Sequence, residues 1–178
     1  MKDRLTWEVF MQEVTEEALK LVQAGFSIVP LLGQKRMSEG TNDPELVRLI
    51  LEKSSDSSFG IEFGSENNIC ALKVIPQYGG LESLRNLLKK YGPLPETPQA
   101  ESLQDTQVYF FKFNPKFYIP TKFSKGIEAQ KTGSILPPPS IYVSGTRYLY
   151  REGRELGRFP IAQVPEFLVR TGMRRHKG

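Results

Sequence analysis

The chain has 178 residues, 39% hydrophobic and 25% charged, with a formal net charge of +4, one cysteine and one histidine. That length suits one core, or two small lobes sharing one. It excludes an internal disulfide and a zinc site built on several thiolates and imidazoles, and no apolar run approaches the ~20 residues of a bilayer-spanning helix. The N-terminus lacks the apolar stretch of a signal peptide, and the lone cysteine suits a reducing compartment, so a cytoplasmic protein without a membrane partner is expected. The charge is unevenly placed. Residues 170–178 hold four basic residues and no acid, and Lys112 to Lys131 holds five lysines against Glu128 alone.

In chain order, Thr6 is the expected cap of a helix reaching about Ala24, with Phe10, Val14, Ala18, Leu21 and Val22 at helical spacing on one face. Gly25 ends it, and residues 26–32 read as a strand. Gly33 to Asn42 reads as a polar loop with Lys35 and Arg36. Asp43 caps a second helix with Pro44 at its first position and Leu46, Val47, Ile50 and Leu51 inward. Residues 54–58 form a turn, residues 59–64 a short strand, and Ser65 to Asn68 a hairpin turn into a buried strand at Ile69 to Ile75. Gly79 and Gly80 lead into a helix at Leu81 to Tyr91, with Leu84, Leu87 and Leu88 on its buried side. Gly92 to Pro98 breaks it and makes a stiff connector.

A strand follows at Gln107 to Phe113, placing Tyr109, Phe111 and Phe113 on one face and Phe110 on the other. A lysine-aromatic loop comes next, then a strand-turn-strand between Gly126 and Leu136. Pro137 to Pro139 shapes the chain before Ser140. Strands are expected at Ile141 to Val143 and Tyr148 to Tyr150, separated by a turn at Gly145, and a last short helix at Val164 to Arg170. The glycines match neither the phosphate-loop nor the dinucleotide fingerprint. His176, alone in the tail, cannot readily join a core triad, and Cys70 reads as a small buried apolar residue.

The order of these pieces resembles the bifunctional primase-polymerase domain of the archaeo-eukaryotic primase superfamily, over roughly Glu16 to Thr171. The opening helix, glycine turn and proline-bearing strand of residues 18–31 are similar to its start, and Lys35 sits where a lysine usually follows. Residues 59–64, Gly79-Gly80, Gly92 to Pro98, Gly126 to Glu128 and Pro137 to Tyr148 resemble its later motifs. The resemblance implies an α+β fold, a primase-like mixed sheet with flanking helices and two small lobes around a central cleft. Residues 1–170 are expected to form one domain, and 171–178 a flexible basic tail.

The resemblance also implies a two-metal active site, with paired strand-end carboxylates, a histidine and a third acid. In this chain the pair falls on Lys73 and Ile75 and the histidine position on Val108. Only the third acid remains, as Glu128. Mg²⁺ requires oxygen ligands in a tight octahedral shell, which a cation and a branched alkane cannot give. The expected reading is therefore a catalytically degenerate module of a mobile element, with no catalytic residue, no metal ligand and no cofactor. Glu128 is expected to form a salt bridge with Lys73, or Lys73 to meet a phosphate.

Lys73, Lys112, Lys116, Lys122, Lys125, Lys131, Ser140, Arg174 and Arg175 are the candidate nucleic-acid or phosphate ligands. Aromatics threaded between cations suit single strands, so single-stranded or primer-template DNA and a replication helicase or related protein are the expected partners. Two other readings remain open. One is an active primase-polymerase using Glu62, Glu66, Asp105 and Glu128 with Mg²⁺ or Mn²⁺, and the other is a pure protein-protein module.

Overall fold

The computed structural model describes residues 4–32, 35–36, 39–53, 57–102, 104–116, 118–141, 145 and 147–169. Phe117, residues 142–143 of the expected strand at 141–143, and the tail with Arg174, Arg175 and His176 lie outside them. Helix α1 (Arg4–Gln23) starts two residues before the expected cap at Thr6. It turns Val14, Ala18, Leu21 and Val22 into the core. It stops where Gly25 adopts φ +91°, a left-handed conformation favouring glycine. Gly25 N–H then donates to Val22 O and Phe26 N–H to Leu21 O, the paired bonds of a Schellman cap.

The chain continues into β1 (Ile28–Leu32), β2 (Lys35–Arg36), α2 (Pro44–Leu51) and β3 (Ser57–Glu62). The Asp43 carboxylate caps α2 by accepting from Glu45 N–H and Leu46 N–H. Val47 and Leu51 are buried, whereas Leu46 is exposed, correcting the expected inward face. Lys35 and Arg36 were expected in a loop, yet β2 folds back on β1 in a tight antiparallel pair. The strand β9 (Ser134–Ile135) completes a four-stranded sheet ordered β2-β1-β3-β9.

The larger sheet is built around β4 (Ile69–Val74). Its order is β10 (Tyr148–Tyr150), β5 (Gln99–Ser102), β6 (Gln107–Lys112), β4, β8 (Ile127–Gln130) and β7 (Lys122–Ser124); β11 (Ala162–Gln163) runs parallel to the end of β6. The sheet is thus mixed, as expected. Two expectations fail. The connector after Gly92 ends in a strand, β5, and β8 and β9 are not a hairpin. They lie three residues apart in different sheets, and Gln130 Nε2 clips that corner to Ser134 O at 3.2 Å.

Alternation along β4 and β6 divides the core. Ile69, Ala71, Val108 and Phe110 face α1, α2 and the smaller sheet. Cys70, Leu72, Val74 and Phe111 face α3 (Gly80–Tyr91) and a final 3₁₀ turn at Glu166–Leu168. Tyr91 stacks on Phe167 from that turn, with ring centroids 4.8 Å apart. Buried Thr97 ties the late chain in: its hydroxyl donates to Phe110 O and accepts from Ala162 N–H. Among the described residues, no helix is long and apolar enough to cross a membrane.

Candidate functional site

The end of β4 is held by glycine packing. After Val74 the chain makes a 3₁₀ turn at Pro76–Tyr78 and enters α3 through Gly79, at φ +78°. Ile75 N–H donates to Gly126 O, and Gly80 N–H to Ile75 O. A methyl group on Gly80 would stand 2.6 Å from Ile75 N and would also strike the Gly126 carbonyl. Gly126, itself at φ +66°, would strike Gly80 in turn. The two turns therefore approach backbone to backbone, and no side chain fits between them.

Pairing register gathers one row of side chains beside this junction. Tyr150 lies opposite Ala100, Ala100 opposite Val108, Val108 opposite Lys73, Lys73 opposite Glu128, and Glu128 opposite Lys122. Directly opposed residues in antiparallel strands share a face, about 5 Å apart at Cβ. Three positions far apart in sequence, Lys73, Val108 and Glu128, thus meet on adjacent strands. Glu128 has a lysine on each side.

Burial holds the Lys73 ammonium below its ordinary pKa, and the Glu128 carboxylate partly counters this. The expected Lys73–Glu128 salt bridge is not among the ion pairs of the described residues; the two lie opposite each other in register and act on each other coulombically. Lys125 adds a third cation at this end, its aliphatic stem lying over Gly79, where an added Cβ would sit 3.4 Å from it. Ser140 is buried. Its N–H donates to Pro137 O, while its hydroxyl meets no hydrogen-bonding partner in the protein. Among the described residues Arg147 Nε and Tyr150 Oη are also buried without a partner, and nothing in the sequence signalled them.

The remaining candidates lie elsewhere. Lys112 ends β6 opposite Ile69, at the other end of β4. Lys131 follows β8, and its Nζ sits 5.1 Å from the centre of the Tyr118 ring. Lys116 lies in the 113–121 loop, where its N–H donates to Asn114 Oδ1. The lysine-aromatic stretch, continuous in sequence, is therefore divided between the two ends of the sheet. Phe110 and Phe111 are core, Phe113 and Phe123 are partly buried, and Tyr118 is 56% exposed. Burial raises the Cys70 thiol to about 12, which keeps it protonated and unreactive at neutral pH.

The acids do not converge. Glu62 is at the end of β3 and pairs with Arg36, Glu66 is in the turn before β4, and Asp105 is in the β5–β6 turn. Among the described residues, no three Asp, Glu, His or Cys side chains form a group able to hold a metal ion. A divalent pair at a triphosphate needs several carboxylate oxygens. The Lys73–Glu128–Lys122 row offers one carboxylate between two ammonium groups. These residues do not fit a two-metal site.

The fold and row together define an α+β domain of primase-polymerase type, with its candidate site where β6, β4 and β8 lie side by side. The chain belongs to the family of bifunctional DNA primase/polymerase N-terminal domains, whose model matches residues 18–167. A search of curated proteins returned no match.

Proposed function

We propose that this domain has lost two-metal nucleotidyl transfer and uses the former catalytic cleft to hold phosphate of a nucleic acid. One observation carries the reading: the one acid remaining from the family's catalytic set, Glu128, lies between Lys73 and Lys122. Two cations around one carboxylate leave a net positive row. That repels a divalent cation and attracts a phosphodiester. The family resemblance adds Ser140, whose buried hydroxyl lacks a protein partner and must be uncovered to donate to a phosphate oxygen, and Lys125 extends the charge over the α3 turn.

On this reading the protein is a cytoplasmic replication accessory module of a mobile element. Residues 1–170 act as one unit, and Arg174 and Arg175 in the tail add phosphate contacts. A replication helicase or related protein is its expected protein partner.

Two assays test this on the full chain. Primer synthesis and extension with Mg²⁺ or Mn²⁺, template and nucleotides should give no product; incorporation abolished by Glu128→Gln would overturn the loss of catalysis. Fluorescence anisotropy with a labelled single strand should show salt-sensitive binding. Joint Lys73→Gln and Lys122→Gln substitution should reduce the slope of log K against log salt by about 1.4, or 0.7 per phosphate contact. An unchanged slope removes the cleft from the binding surface.

A further inference from the structure

The sequence-continuous lysine stretch is split by the fold, and its far half has its own construction. At the end of β4 away from Gly80, β6 finishes with exposed Lys112. Phe113 turns inward, its N–H donating to Asn68 O at 2.8 Å. Asn114 then folds the loop so that Lys116 follows on an exposed turn. Tyr118 stands 56% exposed, and Lys131 arrives from β8 to lie over its ring.

From Lys112 to Ile127 the chain has no Asp or Glu. The neighbouring Glu62 is engaged by Arg36. The result is an exposed aromatic ring under one cation, Lys131, on a loop that also carries Lys116 and follows Lys112, with no acid in that loop. Cation-π contact fixes the ring's orientation at about 0.5–1 kcal/mol when exposed.

We propose that Tyr118, with Lys112, Lys116 and Lys131, is a second contact for single-stranded nucleic acid, separate from the cleft. One base stacks on the Tyr118 ring and the flanking phosphates pair with the lysines. This rests on the reading above that the partner is a nucleic acid, and adds that the strand is unpaired, because a base in a duplex cannot present its face. Glu128 in β8 and Lys131 just after it are three residues apart, about 10 Å at about 3.3 Å per residue, and this odd spacing turns them toward opposite faces, so a strand engaging both passes over the sheet edge.

The test uses the full chain, a labelled oligothymidylate and a labelled duplex of equal length, with anisotropy read at two salt concentrations. Tyr118→Ala should weaken single-strand binding about 5- to 100-fold, the equivalent of about 1–3 kcal/mol of stacking, with little change in salt slope. Tyr118→Phe should bind like the parent. Joint Lys112→Gln, Lys116→Gln and Lys131→Gln substitution should reduce the salt slope by about 2. Tyr118, Lys112 and Lys116 are exposed and Lys131 is half-buried, and an unchanged melting temperature confirms the fold of each variant.

Four results overturn the proposal: parent-like binding by Tyr118→Ala, parent-like binding by the triple variant, duplex bound as tightly as single strand, or polyglutamate competing as well as DNA. If binding persists in the far-end variants but is lost with Lys73→Gln and Lys122→Gln, only the second contact fails. If the parent binds no strand at low salt, both readings fail.

Discussion

At the end of the central sheet that carries Lys73, two glycine turns press backbone to backbone, and the charges above them are coupled across strands. At the opposite end, β6 runs into the 113–121 loop, a glycine has room around it, and Tyr118 stands in solvent. Gly126 has no space for a methyl group, while the nearest atom to one on Gly133 would be Gln130 Nε2 at 3.8 Å. Chemistry follows the same division. The crowded end fixes a row of side chains in register across neighbouring strands. The open end holds side chains on a loop, which suits a ligand whose sequence and exact position vary.

Substitution of the two glycines sharpens the contrast most. Gly126→Ala combines overpacking with a left-handed backbone and is expected to cost about 2–5 kcal/mol. Gly133→Ala, at φ +76° but uncrowded, should cost about 1 kcal/mol. Urea unfolding gives both values, and equal losses would mean the junction tolerates a methyl group.

Lys73→Met tests the coupled row. The ammonium is desolvated, and Lys122 still faces Glu128 in the variant, so a gain of order 1 kcal/mol is expected at pH 7. The pH dependence follows from the lowered pKa. Unfolded chains keep the Lys73 proton up to about the ordinary 10.5, whereas the folded protein releases it earlier. Parent stability through this site therefore rises as pH climbs from the folded pKa to 10.5. The advantage of the Met variant should shrink over that window. Taking the difference between variant and parent cancels the raised tyrosines. A pH-independent advantage would show that charge desolvation is not its source.

Smaller effects come from the unpartnered atoms. Tyr150→Phe and Ser140→Ala each remove a buried hydroxyl without a protein partner, and should stabilise the free protein by up to about 1 kcal/mol. Ser140→Ala should also weaken strand binding, whereas Tyr150→Phe should not. If both leave binding intact, Ser140 is not a phosphate ligand. At the open end, Tyr118→Ala should change stability by less than about 0.5 kcal/mol, which calorimetry can check.

Much of this was legible in the sequence where local chemistry decides structure. Gly25 after an apolar helical face, Asp43 before Pro44, and the alternation of β4 and β6 each encode their own geometry. The register of Lys73, Val108 and Glu128 was reachable only through the family resemblance, because no local pattern relates residues 35 and 20 positions apart.

Other features were hidden for identifiable reasons. β5, Gln-Ala-Glu-Ser, is polar and preceded by prolines, and it is a strand because β6 and β10 pair on both sides of it. β2 is two charged residues stabilised by folding back on β1. Leu46 suits a helix face in isolation, but α1 and the smaller sheet meet α2 through Val47 and Leu51. The lysine-aromatic stretch misled because proximity in sequence is not proximity in a sheet: β7 and the reversal at Ser124–Gly126 take Lys122 and Lys125 to one end, while Lys112, Lys116 and Lys131 stay at the other.

The corner between β8 and β9 has a mechanical consequence. Glu128 is two residues from Gln130, and Ser134, opposite Glu62 in β3, is only four residues beyond Gln130. A three-residue covalent link therefore joins β8, which bears Glu128, to β9, and β9 pairs with β3, on which α1 and α2 pack. On the proposed reading, a strand held by Lys73 and Lys122 would load β8 a few residues from β9 and, through the β9–β3 pairing, the sheet on which α1 and α2 pack.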